Sequence, residues 1–579
     1  MKFPKPENVK SPWVKNYGEM REHLDYPEGS LYNYMRTANL DRLDLVAYTY
    51  YGTEATYRTF LNQIDKMARA LRAYGIHEDD TVTICMPNTP EAIITFYALN
   101  KIGAIANMIH PLSAENEIHY YFNISESRLV LAINVAIDKV VRAADDTPIE
   151  KIIAVSPADS MPLGMKLGYQ ATQGRNIKIP KDKRIIRYAE FLKLESKTKN
   201  YNANRKSEDP AAILYSGGTT GYPKGIVISN FAFNAVALEG FEASQVLSEG
   251  TRVLAIMPIF HGFGLGVCIH TVFTFGGISI LLPQFNVKTF DKLLTQHKPN
   301  VIVGVPTLYE ALLLNEKIDK MDLSFIKFAI SGGDSLSISL KRKLDKFFQD
   351  HHANIQIREG YGMTECLTGT CLTPKDTYRE GSIGIPYPDN YYKIFRPNTH
   401  TECEYGEEGE ILLAGPTVMR EYMDNPEETA QTLRVHADGL TWVYTGDLGT
   451  MDEEGFVYFK GRAKRMIVTS GYNVYPGQIE NILDAHEAVQ MSCVIGVPDA
   501  YKMQKVKAFV KLSPEFSATE ETKQLLLEYC RKHIAKYAMP YDIEFRADLP
   551  KTLVGKVAYR VLEEEELAKM KAAGQEEKA

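Results

Sequence analysis

The residues with the clearest chemistry lie in the stretch LYSGGTTGYPKGIV. It combines three hydroxyl residues with three glycines: Ser216, Thr219 and Thr220, and Gly217, Gly218 and Gly221. Glycine permits positive φ angles and lets backbone N–H groups approach a ligand closely, and Lys224 adds a positive charge. Together these features predict a phosphate-binding loop. The alternative is a Gly/Thr-rich hairpin with one solvated lysine.

The context of this loop differs from that of a P-loop. Apolar runs lie on both sides of it, which predicts a turn between two strands. A P-loop would instead open a helix and carry its lysine directly after the last glycine. Here the lysine follows Pro223.

Two later motifs provide groups that suit a nucleotide. In SGGDSLS, Gly332 and Gly333 follow an apolar run and let the backbone approach something flat or bulky. In REGYGMTE, Tyr361 can stack on a base, Thr364 can donate to a phosphate, and Glu365 offers the hard oxygen that Mg²⁺ prefers. Each feature alone has a plain structural explanation. Their joint occurrence after the first loop indicates a binding site for a nucleotide with Mg²⁺.

A carboxylate further along the chain suits a ribose. Asp447 follows a glycine in YTGDLG, after a strand-like run, and a carboxylate there can accept hydrogen bonds from both ribose hydroxyls. The glycine fingerprint of dinucleotide folds is absent, and an ordinary turn aspartate is the alternative. The next stretch, GRAKRMIVTSGYNVYPGQIE, begins with three cations in four residues and reads as a boundary followed by a loop.

These motifs need a scaffold that alternates strands and helices. The pattern predicts a helix over residues 56–75, a strand over 81–86, a helix from Pro90 to about Ile102, and a strand near 104–108. Further strands are predicted at 129–133, 152–156, 301–305, 326–331 and 355–359. The fold class is therefore α/β, with layered sheets.

The composition bounds the class of protein. The chain has 579 residues, of which 45% are hydrophobic and 24% are charged, so several globular units are expected. A net charge of −7 gives no electrostatic reason for binding nucleic acid. Seven scattered cysteines, never spaced C-x-x-C, and an N-terminus without an apolar signal segment predict a reduced, cytoplasmic protein. Residues 253–287 carry no acid or base, but their prolines and glycines predict strand, short helix and strand rather than a membrane span.

The motifs together resemble the adenylate-forming superfamily, which contains acyl-CoA synthetases, peptide-synthetase adenylation domains and firefly luciferase. Six motifs occur in family order: YSGGTTGYPKG, PIFHGFG, SGGDSLS, YGMTE, YTGD with GRAKRMIVTSGYNVYPGQIE, and PKTLVGK. The resemblance covers nearly the whole chain. It implies a large N-terminal α/β domain of several subdomains, 1–463, that binds ATP and acyl substrate, and a small mobile C-terminal α/β domain, 464–579.

The resemblance also implies roles for single residues. The ATP phosphates would be held by a first group: Ser216, Gly217, Gly218, Thr219, Thr220 and Lys224. Adenosine would be held by a second group: Gly332, Gly333 and Tyr361 at adenine, and Asp447 and Arg462 at the ribose. A third group would serve catalysis, metal binding and domain motion: Thr364 at the α-phosphate, Glu365 on Mg²⁺, His261 beside the acyl carboxylate, Lys556 as the catalytic lysine, Lys464 as the hinge and Gly471 beside the path of pantetheine.

Three positions depart from the family pattern. Tyr215 stands where many relatives have threonine, and a tyrosine at this position resembles the fatty-acid ligases. Asp334 replaces a small residue after the two glycines, and Gln478 replaces a common glutamate.

The implied activity is ATP-dependent ligation of a medium- or long-chain carboxylic acid to coenzyme A, with ATP, Mg²⁺ and coenzyme A as cofactors or co-substrates. An aryl or bile acid is an alternative substrate, and a separate carrier protein is an alternative acceptor. Only 23 residues follow Lys556, too few for a carrier domain, so the thiol is expected to arrive in trans. A noncatalytic acyl or nucleotide sensor is disfavoured because Lys556 and Glu365 are both present.

One basic stretch, residues 161–187, lies outside these motifs. Seven basic residues stand against the single acid Asp182, and the stretch begins with apolar Met161, Leu163, Met165 and Leu167. A solvated surface insertion is one interpretation, and weak contact with an anionic membrane is the other.

Overall fold

A computed structural model describes residues 1–6, 8–216, 223–397, 399, 401–469, 472–499, 501–552 and 556–576. Its α-helices are α1 (Leu31–Thr37), α2 (Tyr57–Tyr74), α3 (Pro90–Ile102), α4 (Glu115–Ile124), α5 (Ile137–Ala143), α6 (Leu163–Ala171), α7 (Tyr188–Phe191), α8 (Asn230–Ser244), α9 (Val272–Thr274), α10 (Phe290–His297), α11 (Pro306–Leu313), α12 (Ile338–Asp350), α13 (Pro426–Thr432), α14 (Pro476–Asp484), α15 (Glu520–His533) and α16 (Tyr559–Glu576). A π-helix, Phe263–Thr271, leads directly into α9.

The strands of the described residues are β1 (Val46–Tyr50), β2 (Thr53–Thr56), β3 (Thr81–Cys85), β4 (Ile105–Met108), β5 (Leu129–Ile133), β6 (Lys151–Val155), β7 (Ile185–Arg187), β8 (Pro210–Ser216), β9 (Lys224–Ser229), β10 (Arg252–Ala255), β11 (Ile278–Leu281), β12 (Val301–Gly304), β13 (Phe328–Gly332), β14 (Arg358–Gly362), β15 (Gly369–Leu372), β16 (Ile385–Pro386), β17 (Tyr391–Phe395), β18 (Gly409–Ala414), β19 (Glu421–Tyr422), β20 (Leu433–Val435), β21 (Thr441–Met451), β22 (Val457–Arg462), β23 (Ile467–Thr469), β24 (Tyr472–Val474), β25 (Val489–Asp499), β26 (Met503–Leu512) and β27 (Asp542–Phe545).

Within the described ranges these strands form four sheets. The first has the order β16-β15-β14-β13-β12-β10-β11-β1-β2, and the second has the order β19-β9-β8-β4-β3-β5-β6-β7. Their central strands are parallel, and helices such as α3 and α8 are almost wholly buried beside them. The third sheet is antiparallel (β17-β18-β21-β20, with β22 on β21), and the fourth has the order β24-β23-β26-β25 with β27 on β26. The layered α/β class is confirmed.

Local signals explain where the first helices begin and end. The Thr56 hydroxyl accepts a hydrogen bond from the Thr59 N–H, and Gly75 follows α2 with φ 105°. Thr89 caps α3, Pro90 occupies its first turn, and Gly103 ends it with φ 83°. The predicted helices over 56–75 and from Pro90 are confirmed, as is the division of 253–287 into strand, short helix and strand.

The strand expected at 355–359 is wrong in position, because β14 runs over Arg358–Gly362. The sequence pattern disfavours an arginine inside a central strand, yet Arg358 is buried there. Its guanidinium donates to the carbonyls of Ala243 and Ser244, which end α8, and to the carbonyl of Thr373. These three acceptors satisfy the buried donors, and therefore the strand can begin with a charged residue.

The fourth sheet and helices α14 to α16 form a smaller α/β unit at the C-terminal end of the chain. It packs on the larger part through helices α12 and α14, where the Ser339 hydroxyl donates to the Asp484 carbonyl at 2.9 Å. A 3-10 turn, Ala463–Arg465, joins the third sheet to the fourth. The division expected between residues 463 and 464 lies in this turn and stays a prediction.

Candidate active site

The carboxyl ends of several parallel strands meet at one cleft. Strands β12, β13 and β14 end there at Gly304, Gly332 and Gly362, and strand β8 of the second sheet brings Ser216 to the same cleft. The cavity has a volume of about 1550 Å³ and is lined by both the larger part and the smaller unit. Ligands of α/β proteins bind at such strand ends.

The predicted phosphate loop joins β8 to β9, which are antiparallel with Ser216 opposite Lys224. The two strands predicted on either side of the turn are thus confirmed, and the turn itself, residues 217–222, lies outside the described residues. Gly217, Gly218, Thr219 and Thr220 lie outside the described residues. Lys224 lines the cleft, forms an ion pair with Glu428, and lies 4.8 Å above the ring of Tyr422. A lysine held at the mouth of the loop in this way can place its charge on a phosphate.

Glu365 lies beside this lysine on the buried 3-10 turn that follows β14. The Tyr422 hydroxyl donates to the Glu365 carboxylate at 2.8 Å, and the Ser216 hydroxyl lies 3.5 Å from the same oxygen. Thr364, next to it, is also buried and lines the cleft. Within the described chain, no group of three or more His, Cys, Asp or Glu could hold a metal by itself. One oriented carboxylate nevertheless suits Mg²⁺, which commonly uses one or two carboxylates together with substrate phosphates.

Asp447, Tyr361 and Arg462 also meet in this cleft. Asp447 and Arg462 face each other in the β21–β22 pair, with 3.3 Å between Oδ1 and Nε. The Tyr361 hydroxyl donates to Oδ2 of Asp447 at 2.7 Å. Apart from this ion pair, the buried Oδ1 accepts no hydrogen bond from the described residues, so it keeps an acceptor position of the kind that a ribose hydroxyl satisfies. Burial raises the pKa of Asp447, and Arg462 opposes that rise.

His261 is positioned by a close contact between two turns. A Cβ on the adjacent Gly262 would come within 1.6 Å of the Leu367 carbonyl oxygen, so only glycine lets the His261 turn reach the turn that carries Thr364. The Phe263 N–H donates to Nδ1 of His261, which leaves Nε2 as the protonated nitrogen of the neutral ring. Burial and the nearby Lys556 ammonium lower the pKa of His261 to about 4. His261 therefore enters the cleft as a neutral hydrogen-bond donor.

Lys556 reaches the cleft from the smaller unit. Its Cε lies 3.6 Å from the place that a Cβ on Gly333 would occupy, and Gly333 has φ 80°. Burial lowers the pKa of Lys556 below its usual value, while the Asp334 carboxylate opposes this shift. Asp334, which departs from the family pattern, thus lies close enough to favour the charged lysine. The structure thus brings Lys556 of the smaller unit next to Gly333 and Asp334 of the larger part.

The remaining predicted residues fall into three groups. Gly332, Lys464 and Gln478 line the cleft, and the Phe263 ring lies 3.3 Å from a Cβ placed on Gly332. Gly471 lies outside the described residues. Tyr215 packs its ring 4.2 Å from that of Tyr121, and both Tyr215 and Ser216 line the cleft.

Apolar residues line another part of the same cavity, which we call the apolar channel. Alternate residues of β13, namely Phe328, Ile330 and Gly332, line it, as expected when one face of a strand looks into a channel. Val236 and Gly240, one turn apart on α8, line it as well. From Phe328 to Gly332 the strand rises about 13 Å. Lining residues of the channel therefore occur along the whole length of β13.

Comparison with protein families matches the AMP-binding enzyme model over residues 35–423 and the AMP-binding enzyme C-terminal domain model over residues 478–556. A long-chain-fatty-acid–CoA ligase from Bacillus subtilis (strain 168) is 34% identical over 566 residues, which cover 96% of this chain and 98% of that protein. The chain belongs to the AMP-binding enzyme family.

Two crystal structures of MatB from Rhodopseudomonas palustris, each 26% identical, bear on the arrangement of the parts. The ATP-bound form has a TM-score of 0.79 and covers 92% of this chain and 98% of its own. The apo form has a TM-score of 0.72 and covers 93% and 98%. This AMP-binding enzyme is therefore more similar in overall arrangement to the ATP-bound form.

Sequence reasoning missed two residues at the centre of this AMP-binding enzyme's cleft. Tyr422 links the predicted metal ligand Glu365 to the loop lysine Lys224, and Glu428 pairs with that lysine. Tyr422 lies on the short strand β19, which pairs with β9. The motif EYMDNPEET carried no signal by itself, because only the strand pairing shows that it faces the loop.

Proposed function

We propose that the chain is an AMP-forming ligase that activates a medium- or long-chain fatty acid as its acyl-adenylate and transfers the acyl group to coenzyme A. One observation carries this proposal: a single cavity is lined both by Lys224, Glu365, Asp447 and Lys556 and by the residues of the apolar channel. The polar end suits ATP, and the channel suits a linear acyl chain. The Bacillus subtilis relative named a long-chain-fatty-acid–CoA ligase supports the same assignment.

The depth of the channel favours a linear acid over an aryl or bile acid. The residues that line it include Val253, Val301 and Phe328, at the start of their strands, and Ile330 nearer the polar groups. Since β13 rises about 13 Å from Phe328 to Gly332, a compact aryl acid would leave the lining residues at the start of these strands without a partner. A linear chain fills the channel and removes its apolar surface from water.

In the first half-reaction the acid's carboxylate attacks the α-phosphorus of ATP, and pyrophosphate leaves. Lys224, with Ser216 and the loop residues Gly217, Gly218, Thr219 and Thr220, is assigned to the phosphates. Thr364 is assigned to the α-phosphate, and Lys556 to the charge that gathers on it in the transition state. Neutral His261 donates a hydrogen bond to the carboxylate without adding a charge. Tyr361, Gly332 and Gly333 are assigned to adenine, and Asp447 with Arg462 to the ribose.

Mg²⁺ is assigned to Glu365, whose carboxylate is already oriented by Tyr422. When bound, the ion neutralises phosphate charge and polarises the phosphoryl oxygens.

In the second half-reaction the thiol of coenzyme A attacks the carbonyl carbon of the mixed anhydride, and AMP leaves. We assign Lys464 as the hinge about which the smaller unit, 464–579, turns between the two half-reactions, and Gly471 as a wall of the pantetheine path. A supporting observation is that Lys464 lies in the turn Ala463–Arg465 between the third and fourth sheets. Proline at position 464 would restrict the φ angle that such a hinge must change.

A reducing compartment such as the cytoplasm is proposed for this reaction, since all seven cysteines are free thiols. No helix among the described residues has the length and apolar character needed to cross a bilayer.

The decisive experiment is a panel of carboxylic acids that spans acetate, medium and long fatty acids, benzoate and cholate. AMP release and the acyl product are measured for each acid with and without coenzyme A. We expect AMP release and acyl-CoA formation to depend on coenzyme A and to rise with chain length beyond acetate. Adenylate formation that ignores coenzyme A would instead indicate a carrier-protein acceptor, and preference for benzoate or cholate would overturn the fatty-acid assignment.

A further inference from the structure

The basic segment, residues 161–187, projects from the edge of the second sheet and is held firmly at both ends. Before it, the Tyr50 hydroxyl donates to the Pro157 carbonyl at 2.8 Å, and the Ser160 hydroxyl donates to Glu91 at 2.6 Å. At its far end, β7 pairs in parallel with β6. The segment between these anchors therefore has a defined position on the molecule.

Helix α6 lies within this segment and buries none of its side chains. Leu163 is 73% exposed, Leu167 is 59% exposed and Met165 is 46% exposed. Leu163 and Leu167 stand four residues apart, so they share one face of the helix. Packing within the protein does not account for these large apolar residues, because they are exposed. Contiguous exposed apolar groups commonly mark a contact surface.

The same segment carries seven basic side chains, none of them buried: Lys166, Arg175, Lys178, Lys181, Lys183, Arg184 and Arg187. Arg184 is paired with Asp182 and Asp145. Lys166 and Arg187 interact electrostatically with Asp159, and Lys183 interacts with Asp182. None of the remaining basic side chains forms an ion pair within 4.0 Å among the residues that the structure describes. The segment carries a net charge of +6 while the whole chain carries −7, so the rest of the chain carries −13. Positive charge is therefore concentrated in this one segment of an acidic protein.

We propose that the basic segment docks the protein on the surface of an anionic phospholipid bilayer. Exposed leucine and methionine side chains would enter the acyl boundary, and the lysines and arginines would attract the lipid phosphates. A nucleic acid would be attracted by the same cations but would leave the aliphatic side chains without a partner. Helix α6 has nine residues, and a helix of that size is about 14 Å long, so it can lie in the interface but cannot cross. This docking is independent of the proposed ligase reaction.

The test is co-sedimentation of the full chain with vesicles of phosphatidylcholine alone or of phosphatidylcholine with phosphatidylglycerol in equal parts. The charge variant combines Lys178→Gln, Lys181→Gln and Lys183→Gln, and the apolar variant combines Leu163→Ser and Leu167→Ser. A matched charge control changes Lys288, Lys317 and Lys320, which are exposed elsewhere, to glutamine. A matched apolar control combines Val435→Ser and Leu525→Ser, at positions that are 73% and 45% exposed. Circular dichroism and AMP release with a short soluble acid verify that each variant is folded.

We expect the unchanged chain to bind anionic vesicles at low salt, to bind neutral vesicles weakly, and to be released as salt screens the charges. The charge variant should lower the partition coefficient at least about tenfold, and the apolar variant should lower it severalfold. Both controls should bind like the unchanged chain. Equal binding by the charge variant and its control overturns the proposal, as does binding to RNA that is tighter than binding to anionic vesicles. Either result leaves acyl-CoA formation to be judged separately, because vesicle binding does not require activity.

Discussion

The two ends of the cleft are built in opposite ways. At the polar end, two carboxylates each accept a hydrogen bond from a tyrosine: Asp447 from Tyr361, and Glu365 from Tyr422. At the apolar end, the wall consists of one face of several strands and of helix α8, and Gly240 leaves part of that wall open. Binding at the polar end depends on individual hydrogen bonds, whereas binding at the apolar end depends on the free volume that the wall residues leave between them.

This difference predicts which property a single substitution at each end should change. Removing one oriented charge from the polar end should damage the chemical step for every acid, because phosphate charge develops in all of them. Filling the channel should instead discriminate among acids by length and leave the nucleotide chemistry intact. The predictions below test this division.

The largest effect is expected for Lys556→Ala. Loss of a charge-stabilising group of this kind typically costs about 10² to 10³ in rate, so adenylate formation should almost disappear for short and long acids alike. ATP–pyrophosphate exchange measures this half-reaction. Lys551→Ala, at a nearby exposed lysine, serves as the control and should exchange normally. When preformed acyl-adenylate and coenzyme A are supplied, Lys556→Ala should still make product; equal failure in both assays would remove Lys556 from its assigned role.

The next largest effect is expected for Gly240→Leu, at the apolar end. A Cβ at Gly240 would lie 3.8 Å from Thr271, which is ordinary contact, so alanine should be tolerated. A leucine side chain would extend into the channel, and kcat/KM for acids long enough to pass it should fall about 10- to 100-fold. Acetate should be used as before. A uniform loss for all acids would mean that position 240 acts on the fold or on the nucleotide rather than on chain length.

A smaller effect is expected for Tyr422→Phe. The substitution removes the hydroxyl that orients Glu365 but keeps the buried ring beside Lys224. Loss of a partner that orients a metal ligand typically costs 10- to 100-fold in metal affinity, so the Mg²⁺ concentration for half-maximal exchange should rise about tenfold. Saturating Mg²⁺ should restore most of the rate. Tyr405→Phe, at an exposed tyrosine, is the control, and an unchanged Mg²⁺ requirement in Tyr422→Phe would contradict its positioning role.

More of the polar end than of the apolar end could be predicted from the sequence, and the reason is physical. Phosphate, ribose and Mg²⁺ demand particular residue types at short spacing, so Lys224, Glu365 and Asp447 stood out in their motifs. The α/β alternation and the caps of α2 and α3 were equally local signals. Tyr422 was missed because its role depends on the pairing of β19 with β9. Gly240 was missed because a channel wall is a property of packed volume and not of residue type.

The fourth prediction concerns pH and the two titratable groups that meet in the cleft. Burial lowers the pKa of Lys556 below its usual value, so its charge is lost as pH rises through a value lower than that of a free lysine. Adenylation should therefore decline on the alkaline side while the fold is intact. His261, with a pKa of about 4, is neutral from pH 5 upward and should add no inflection between pH 5 and 8.

Lys556→Arg keeps its charge at alkaline pH, and the surviving exchange activity should lose this decline even if its maximum is lower. The measurement is the pH profile of ATP–pyrophosphate exchange for both proteins, with circular dichroism at each pH. If exchange activity declined at the same alkaline pH in Lys556→Arg as in the unchanged chain, the decline would belong to another titratable group. The charge at position 556 would then not limit adenylation at alkaline pH.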